Sequence, residues 1–191
     1  MTATIDTTNL AFSAISINGK GARTLPCLSL AGHSVVWQPA EYLEVPFEPS
    51  AFQDETANRV TICLNPSEAA CETVAALDQW VIATIAANPV PLLGTALTRE
   101  QVKDRYVSSI KTSSEKGYKT LRVKMNRAGR YGLQVYTPEK EKRAHPDAWR
   151  GCSMRPRLTW RGLWIMGKDF GSIFECTHAI VQEQLDEECP L

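Results

Sequence analysis

Arg122 and Lys124 stand two residues apart, and Arg155, Arg157 and Arg161 recur at steps of two and four. Successive side chains of a strand point to opposite faces, so this spacing gathers charge on one face of each strand. If the strands pair, one sheet face becomes a surface of guanidinium and ammonium groups. The planar fork of arginine matches phosphate oxygens and also lies flat on rings and bases. The chemistry these residues can do is therefore a non-covalent grip on a polyanion. A solvated face would mix Asp or Glu into such positions, and none occurs there. Tyr118, Tyr131, Tyr136, Trp149, Trp160, Trp164, Phe170 and Phe174 lie in or beside the same stretch. Unpaired bases expose their π faces, and each stack on a ring is worth roughly 1–3 kcal/mol. Trp160 and Trp164 share the parity of Met154 and Leu158, which puts them on the core side unless Gly162 shifts the register. Trp149, in a polar loop beside Arg150, is expected to meet ligand, and Tyr131 and Tyr136 fall on opposite faces.

Covalent chemistry finds little footing. Asn18-Gly19-Lys20-Gly21 is too short for a phosphate loop and reads as a turn, and neither a Gly-x-Ser-x-Gly elbow nor His-Glu-x-x-His occurs. His33, His145 and His178 are far apart, and Asp104, Asp147 and Asp169 stand singly in the basic stretch. The reading is of a protein that is not an enzyme and needs no cofactor or metal. Cys176 and His178 share one strand face, but two ligands fall short of the four a structural zinc takes. The six cysteines, without a Cys-x-x-Cys pair, read as free thiols of a reducing, intracellular compartment.

The elements that must position the basic residues come in blocks along a single domain. Residues 1–65 form an N-terminal β and loop segment, with Leu10 to Ile17 running into an Asn18-Gly19 hairpin turn and further strands at Leu28–Leu30 and Val35–Trp37. Residues 66–112 form a helical segment. Its first helix spans Pro66 to Ala87, with Asn65 as cap and Glu68 in capping-box register, and a Pro/Gly loop follows. A second helix starts at Thr98 with Gln101 completing a capping box, and carries Val102, Tyr106 and Val107. Residues 117–182 are strands: Leu121–Met125 with Tyr131–Tyr136 as its partner, Met154–Met166 bent or bulged at Gly162, and a long last strand from Phe170 to Val181. Short antiparallel strands after helices predict an α+β protein with an OB-like antiparallel β-barrel, two helices and an N-terminal β-rich segment.

Charge follows the same blocks. The net charge is zero, yet Lys103 to Lys168 holds seventeen of the twenty-one Lys and Arg and only five acids. Residues 183–191 form a short acidic tail. Such a tail can occupy the chain's own basic groove or dock on basic partners. No run of eighteen apolar residues occurs and the N-terminus lacks a signal-peptide pattern, so neither a membrane partner nor export is expected.

The run Lys119-Thr120-Leu121-Arg122-Val123-Lys124, the strand Gly132–Tyr136, and Arg157-Leu158-Thr159-Trp160-Arg161-Gly162-Leu163-Trp164-Ile165-Met166-Gly167-Lys168-Asp169-Phe170-Gly171 together resemble the OB-fold single-stranded DNA-binding proteins of large DNA viruses and phages. In those, a late strand of the form Trp, short turn, aromatic-Gly closes the barrel. The acidic tail is similar to the tails of replication-type single-strand binders. The resemblance covers residues 117–191, and the long N-terminal part and the helices depart from the compact members. It implies that Arg122, Lys124, Arg155, Arg157 and nearby aromatics line a DNA groove. The candidate nucleic-acid-binding set is then Lys119, Arg122, Lys124, Arg127, Arg130, Tyr131, Tyr136, Trp149, Arg155, Arg157, Arg161 and Trp164. The expected function is to coat single-stranded DNA in viral or phage replication or recombination, in the host cytoplasm or nucleus. The tail would dock replication proteins, and a homo-oligomer is compatible with the reading. Two alternatives stay open: a viral coat protein that packages nucleic acid, and an RNA-binding protein, since the residues do not separate DNA from RNA.

Overall fold

The computed structural model describes residues 4–51, 54, 56–113 and 117–183. The N-terminal part supplies short strands: β1 (Leu10–Phe12), β2 (Ser16–Ile17), β3 (Arg23–Leu25), β4 (Cys27–Ser29), β5 (Val35–Trp37), β6 (Leu43–Glu44) and the longer β7 (Arg59–Leu64). Helices α1 (Glu68–Ala87), α2 (Pro89–Leu93) and α3 (Arg99–Arg105) follow. The remainder is β8 (Tyr106–Val107), β9 (Ile110–Thr112), β10 (Lys119–Asn126), β11 (Gln134–Tyr136), β12 (Lys142–Arg143), β13 (Ser153–Met166) and β14 (Asp169–Gln182).

The long hairpin of β13 and β14 is the spine. Its loop is Gly167-Lys168, and the φ of +60° at Gly167 is what the first position of a II′ turn demands. Each spine strand changes partners along its length. β13 meets β6 at Met154, β5 at Leu158 to Trp160, and β3 at Leu163 to Ile165. β14 meets β8 at Phe170, β10 at Glu175 and β11 at His178 to Ile180. A flat ladder has no reason to hand over partners in this way. The register shifts at Arg157/Leu158 and Trp160/Leu163 twist the spine and curl the sheet into an OB-like half-barrel. The α+β, OB-like class expected of the sequence is the class observed. The sheet is mixed rather than antiparallel throughout, because β8, β10 and β11 all run parallel to β14.

Several local expectations change for identifiable reasons. The cap of α1 is Ser67, whose Oγ accepts from Ala70 N–H at 3.2 Å. Asn65, the residue after β7, is held back instead by Glu44, to which its backbone N–H and its amide both donate. The Pro89–Leu93 loop is a short helix ended by Gly94 in the left-handed region. The capping box of Thr98 and Gln101 forms, but the helix stops at Arg105. Tyr106 turns extended because its hydroxyl donates to Asp78 and meets Ser172 Oγ at 2.8 Å, and because its backbone pairs with Phe170. Nor is β11 the partner of β10. β10 pairs antiparallel with β7 and β9, and β11 lies farther along the same edge of β14 that β10 touches, since β13 fills the other edge.

The core lies between the inner face of the sheet and α1. Val74, Leu77, Val81 and Ile85 are buried along one helix stripe. Although α1 is long and apolar enough to span a bilayer by composition, that stripe packs into the domain and Glu68 and Glu72 occupy the exposed side. Rings fill the centre: Trp80 meets Phe12 at 5.3 Å and Trp160 at 6.0 Å, and Trp37 meets Phe174 at 5.7 Å. Ser172 is a polar bridge through this core, bonded to Tyr106 and to Trp160 Nε1.

Candidate nucleic-acid interface

β10 shows how the sequence makes the outer face. Leu121, Val123 and Met125 are buried, so Arg122 and Lys124 must stand outside. β7 pairs with it and alternates the same way: Val60, Ile62 and Leu64 face in, and Arg59, Thr61 and Cys63 face out. Lys124 donates to Thr61 Oγ1 across the pair at 2.7 Å. Partial burial, then the charges of Arg59 and Arg122, hold its ammonium below the usual lysine range. Three cations have thus been brought together on two strands.

On the next strand, β14, Glu175 lies level with Lys124. Its carboxylate is buried and takes Arg59 Nη1 at 2.9 Å, Asn126 Nδ2 at 3.3 Å and Arg161 Nε at 2.7 Å. Arginines from β7 and β13 are thereby drawn to one point, while the side chains of both stay about half exposed. The register shift at Thr177 then places Thr177 and His178 side by side on the same face. His178 stacks on Tyr136 of β11, with ring centroids 6.2 Å apart and an interplanar angle of 15°. Burial, and Arg157 beside it, keep the imidazole pKa below the ordinary value, so the ring is neutral at pH 7. The β10–β11 loop adds Arg130 and Tyr131, whose guanidinium carbon and ring centroid are 5.6 Å apart. Tyr131 is 73 % exposed, unusually open for a ring. These groups surround an open cleft of about 550 Å³, lined by Arg59, Arg130, Tyr131, Gln134, Arg161 and Glu175 among others.

The candidate set divides. Arg130, Tyr131 and Arg161 line the cleft; Arg122 and Lys124 flank it on β10; Arg157 and Tyr136 adjoin it through His178. Five residues go elsewhere. Lys119 has the parity of Leu121 and faces the helix side, in a groove with Glu68, Cys71 and Asp78. Arg127 donates to Pro49 O at 3.2 Å, tying the β10–β11 loop to the chain before β7. Arg155 lies over Tyr42 at 5.7 Å with its Nε buried. Trp149 is 6 % exposed, a core residue edge-on to His145, because Glu48 accepts from the N–H groups of Trp149 and Arg150 and folds the loop inward. Trp164 leaves the core, since the register shift at Gly162 hands the inner face to Leu163 and Ile165, but it rests half-buried against Gly171, outside the cleft. Arg59, Gln134, Glu175 and His178 enter the site without having been expected there. The alternation of Arg59 to Leu64 was the available signal for the first of them.

Cys176 is fully buried, its thiol pKa pushed up to about 12 by desolvation, and its Sγ points to the His178 carbonyl at 3.4 Å. Among the described residues no group of three or more His, Cys, Asp or Glu is placed to hold a metal ion. Of the acidic tail, Glu183 pairs with Arg143, and residues 184–191 lie outside the described residues.

No protein-family model and no curated protein matches the sequence. Solved structures do match. The single-stranded DNA-binding protein of bacteriophage Enc34, in complex with ssDNA, aligns with 91 % of this chain and 96 % of its own at a TM-score of 0.50 and 11 % identity. Its C-terminal truncation aligns with 92 % of this chain and 96 % of its own at 0.50 and 9 % identity. Gp2.5, a single-stranded DNA-binding protein encoded by bacteriophage T7, aligns with 82 % of this chain and 96 % of its own at 0.46 and 12 % identity. The chain has the fold of phage single-stranded DNA-binding proteins, and the similarity extends through the N-terminal part as well as residues 117–191.

Proposed function

We propose that this protein binds single-stranded DNA across the outer face of its sheet, with little sequence preference along most of the site, and coats it during phage or viral replication or recombination. The observation that carries the reading is the convergence of Arg59 and Arg161 on Glu175 beside the open ring of Tyr131, on a fold shared with a DNA-bound phage protein. Cations at the rim meet phosphates, and the exposed rings meet bases. Under the same reading, the acidic tail is a dock for replication proteins. Trp37, Trp149 and Trp160 are buried, so intrinsic tryptophan emission is a poor reporter of binding. The test is fluorescence anisotropy of a labelled oligonucleotide, as single strand, as duplex and as the RNA equivalent. Single-stranded DNA should bind tightest, and Arg59→Ala with Arg161→Ala should weaken it at least tenfold with the fold intact by circular dichroism. Equal affinity for duplex, or a double variant that binds like wild type, would refute the reading; stronger binding of RNA would reassign the ligand.

A further inference from the structure

The cleft has a rim and a floor of opposite character. Arg59, Arg130 and Arg161 stand at the rim, and the floor carries the carboxylate of Glu175, whose side chain is 10 % exposed. A phosphate seated on that floor would meet a buried negative charge. A phosphate at the rim would meet the guanidinium edges that Glu175 leaves unused, since Arg161 spends only Nε on it and Arg59 only Nη1. What enters the floor is therefore an uncharged group, and of the two in a DNA strand the deoxyribose has no N–H or O–H to offer a carboxylate, which leaves the base.

The polar lining states which base. Asn126 gives its amide hydrogens to Tyr131 O and Glu175, so it presents its carbonyl oxygen. Gln134 donates one of its two amide hydrogens to Gly132 O and retains its oxygen beside the other hydrogen. Thr177 donates to Arg157 O. With the Glu175 carboxylate, the floor is rich in acceptors. Cytosine and adenine carry an exocyclic amino donor, whereas uracil and thymine place a carbonyl there. Tyr131 offers a face for the ring, and about 550 Å³ lies within the ordinary range for a small-ligand pocket.

We infer that this cleft is a pocket for one unstacked base bearing an amino group, and that Glu175 and Gln134 set the preference. This rests on the proposed single-strand binding and adds to it a local selectivity within otherwise sequence-tolerant contacts. Oligo-dC and oligo-dU are the discriminating pair, because they differ at the base edge and share ring size and backbone. At pH 7.5 the wild-type protein should bind dC twelve-mers roughly fivefold more tightly than dU twelve-mers, the low end for one well-made base contact. Glu175→Gln, which keeps the shape but turns an acceptor into a donor, should abolish or invert that ratio. Gln134→Leu removes an acceptor without touching either arginine and should reduce it, so it decides the matter if the first variant fails to fold. Equal wild-type affinity for the two tracts, or a ratio that survives in every folded variant, overturns the base pocket and leaves single-strand binding standing. Failure to bind either tract strikes at the proposed function itself.

Discussion

Arg155 and Arg157 are two residues apart on β13 and identical in type, and the structure gives them different work. Arg157 is exposed and stands beside His178 at the edge of the cleft. Arg155 is half-buried, its guanidinium over Tyr42 and its Nε withdrawn from water. An arginine so placed stabilises through the packing of its stem and face as much as through charge. Arg157→Ala should therefore weaken single-strand binding severalfold at an unchanged unfolding midpoint. Arg155→Ala should do the reverse, costing about 1 kcal/mol of stability, in the usual range for lost side-chain packing, with a small effect on affinity. Urea denaturation and anisotropy on the two single variants separate the roles, and an exchange of the two outcomes would show that the face has been read backwards.

At the scale of elements, Gly162 is where the order of the strand is decided. Before it the even residues Leu158 and Trp160 face the core; after it Leu163 and Ile165 do. Its φ is +94°, and a Cβ there would lie 2.1 Å from Leu25 O. Gly162→Ala must both adopt a disfavoured backbone and push β13 away from the chain between β3 and β4, so it should cost about 3 kcal/mol or more. A denaturant midpoint within error of wild type would show that the register shift does not need glycine. The same residue shows how far the sequence could be read. A bend at Gly162 is legible as a lone glycine in an alternating run, and β10, β13, β14 and the Thr98 capping box follow from period and capping chemistry alone. β7 has equally clear alternation but is short and lies beside a proline-rich loop, so its pairing with β10 emerges only in three dimensions. The end of α3 was not legible either, because Tyr106 is pulled into extended form by Asp78 and Ser172, which are distant in sequence. Likewise the loop of Trp149 reads as polar and exposed until Glu48 folds it in. What period encodes could be read; what long-range partners impose could not. The site followed the same rule, since its central group, Glu175, is an acid whose meaning depends on two arginines from other strands.

For the whole molecule, a net charge of zero conceals a strong division of potential. Arg59, Arg122, Lys124, Arg130, Arg157 and Arg161 occupy the cleft and its surroundings on the outer sheet face, whereas Glu68, Glu72 and Asp78 lie along α1 beside Lys119. Counterion release depends on the phosphates neutralised locally, at about 0.7 per contact for a single strand, and not on net charge. With four to six of these cations engaged, log affinity should fall against log salt with a slope of about −3 to −4, or roughly 60- to 250-fold between 50 and 200 mM. The locus can be tested on one strand. Arg122 and Lys119 are both exposed on β10, but only Arg122 shares the outer face. Arg122→Ala should make the slope shallower by about 0.7, and Lys119→Ala should leave it unchanged. Equal changes from the two would place the DNA along the length of β10 and around its edge rather than across the outer face, and a wild-type slope near zero would remove phosphate contacts from the mechanism altogether.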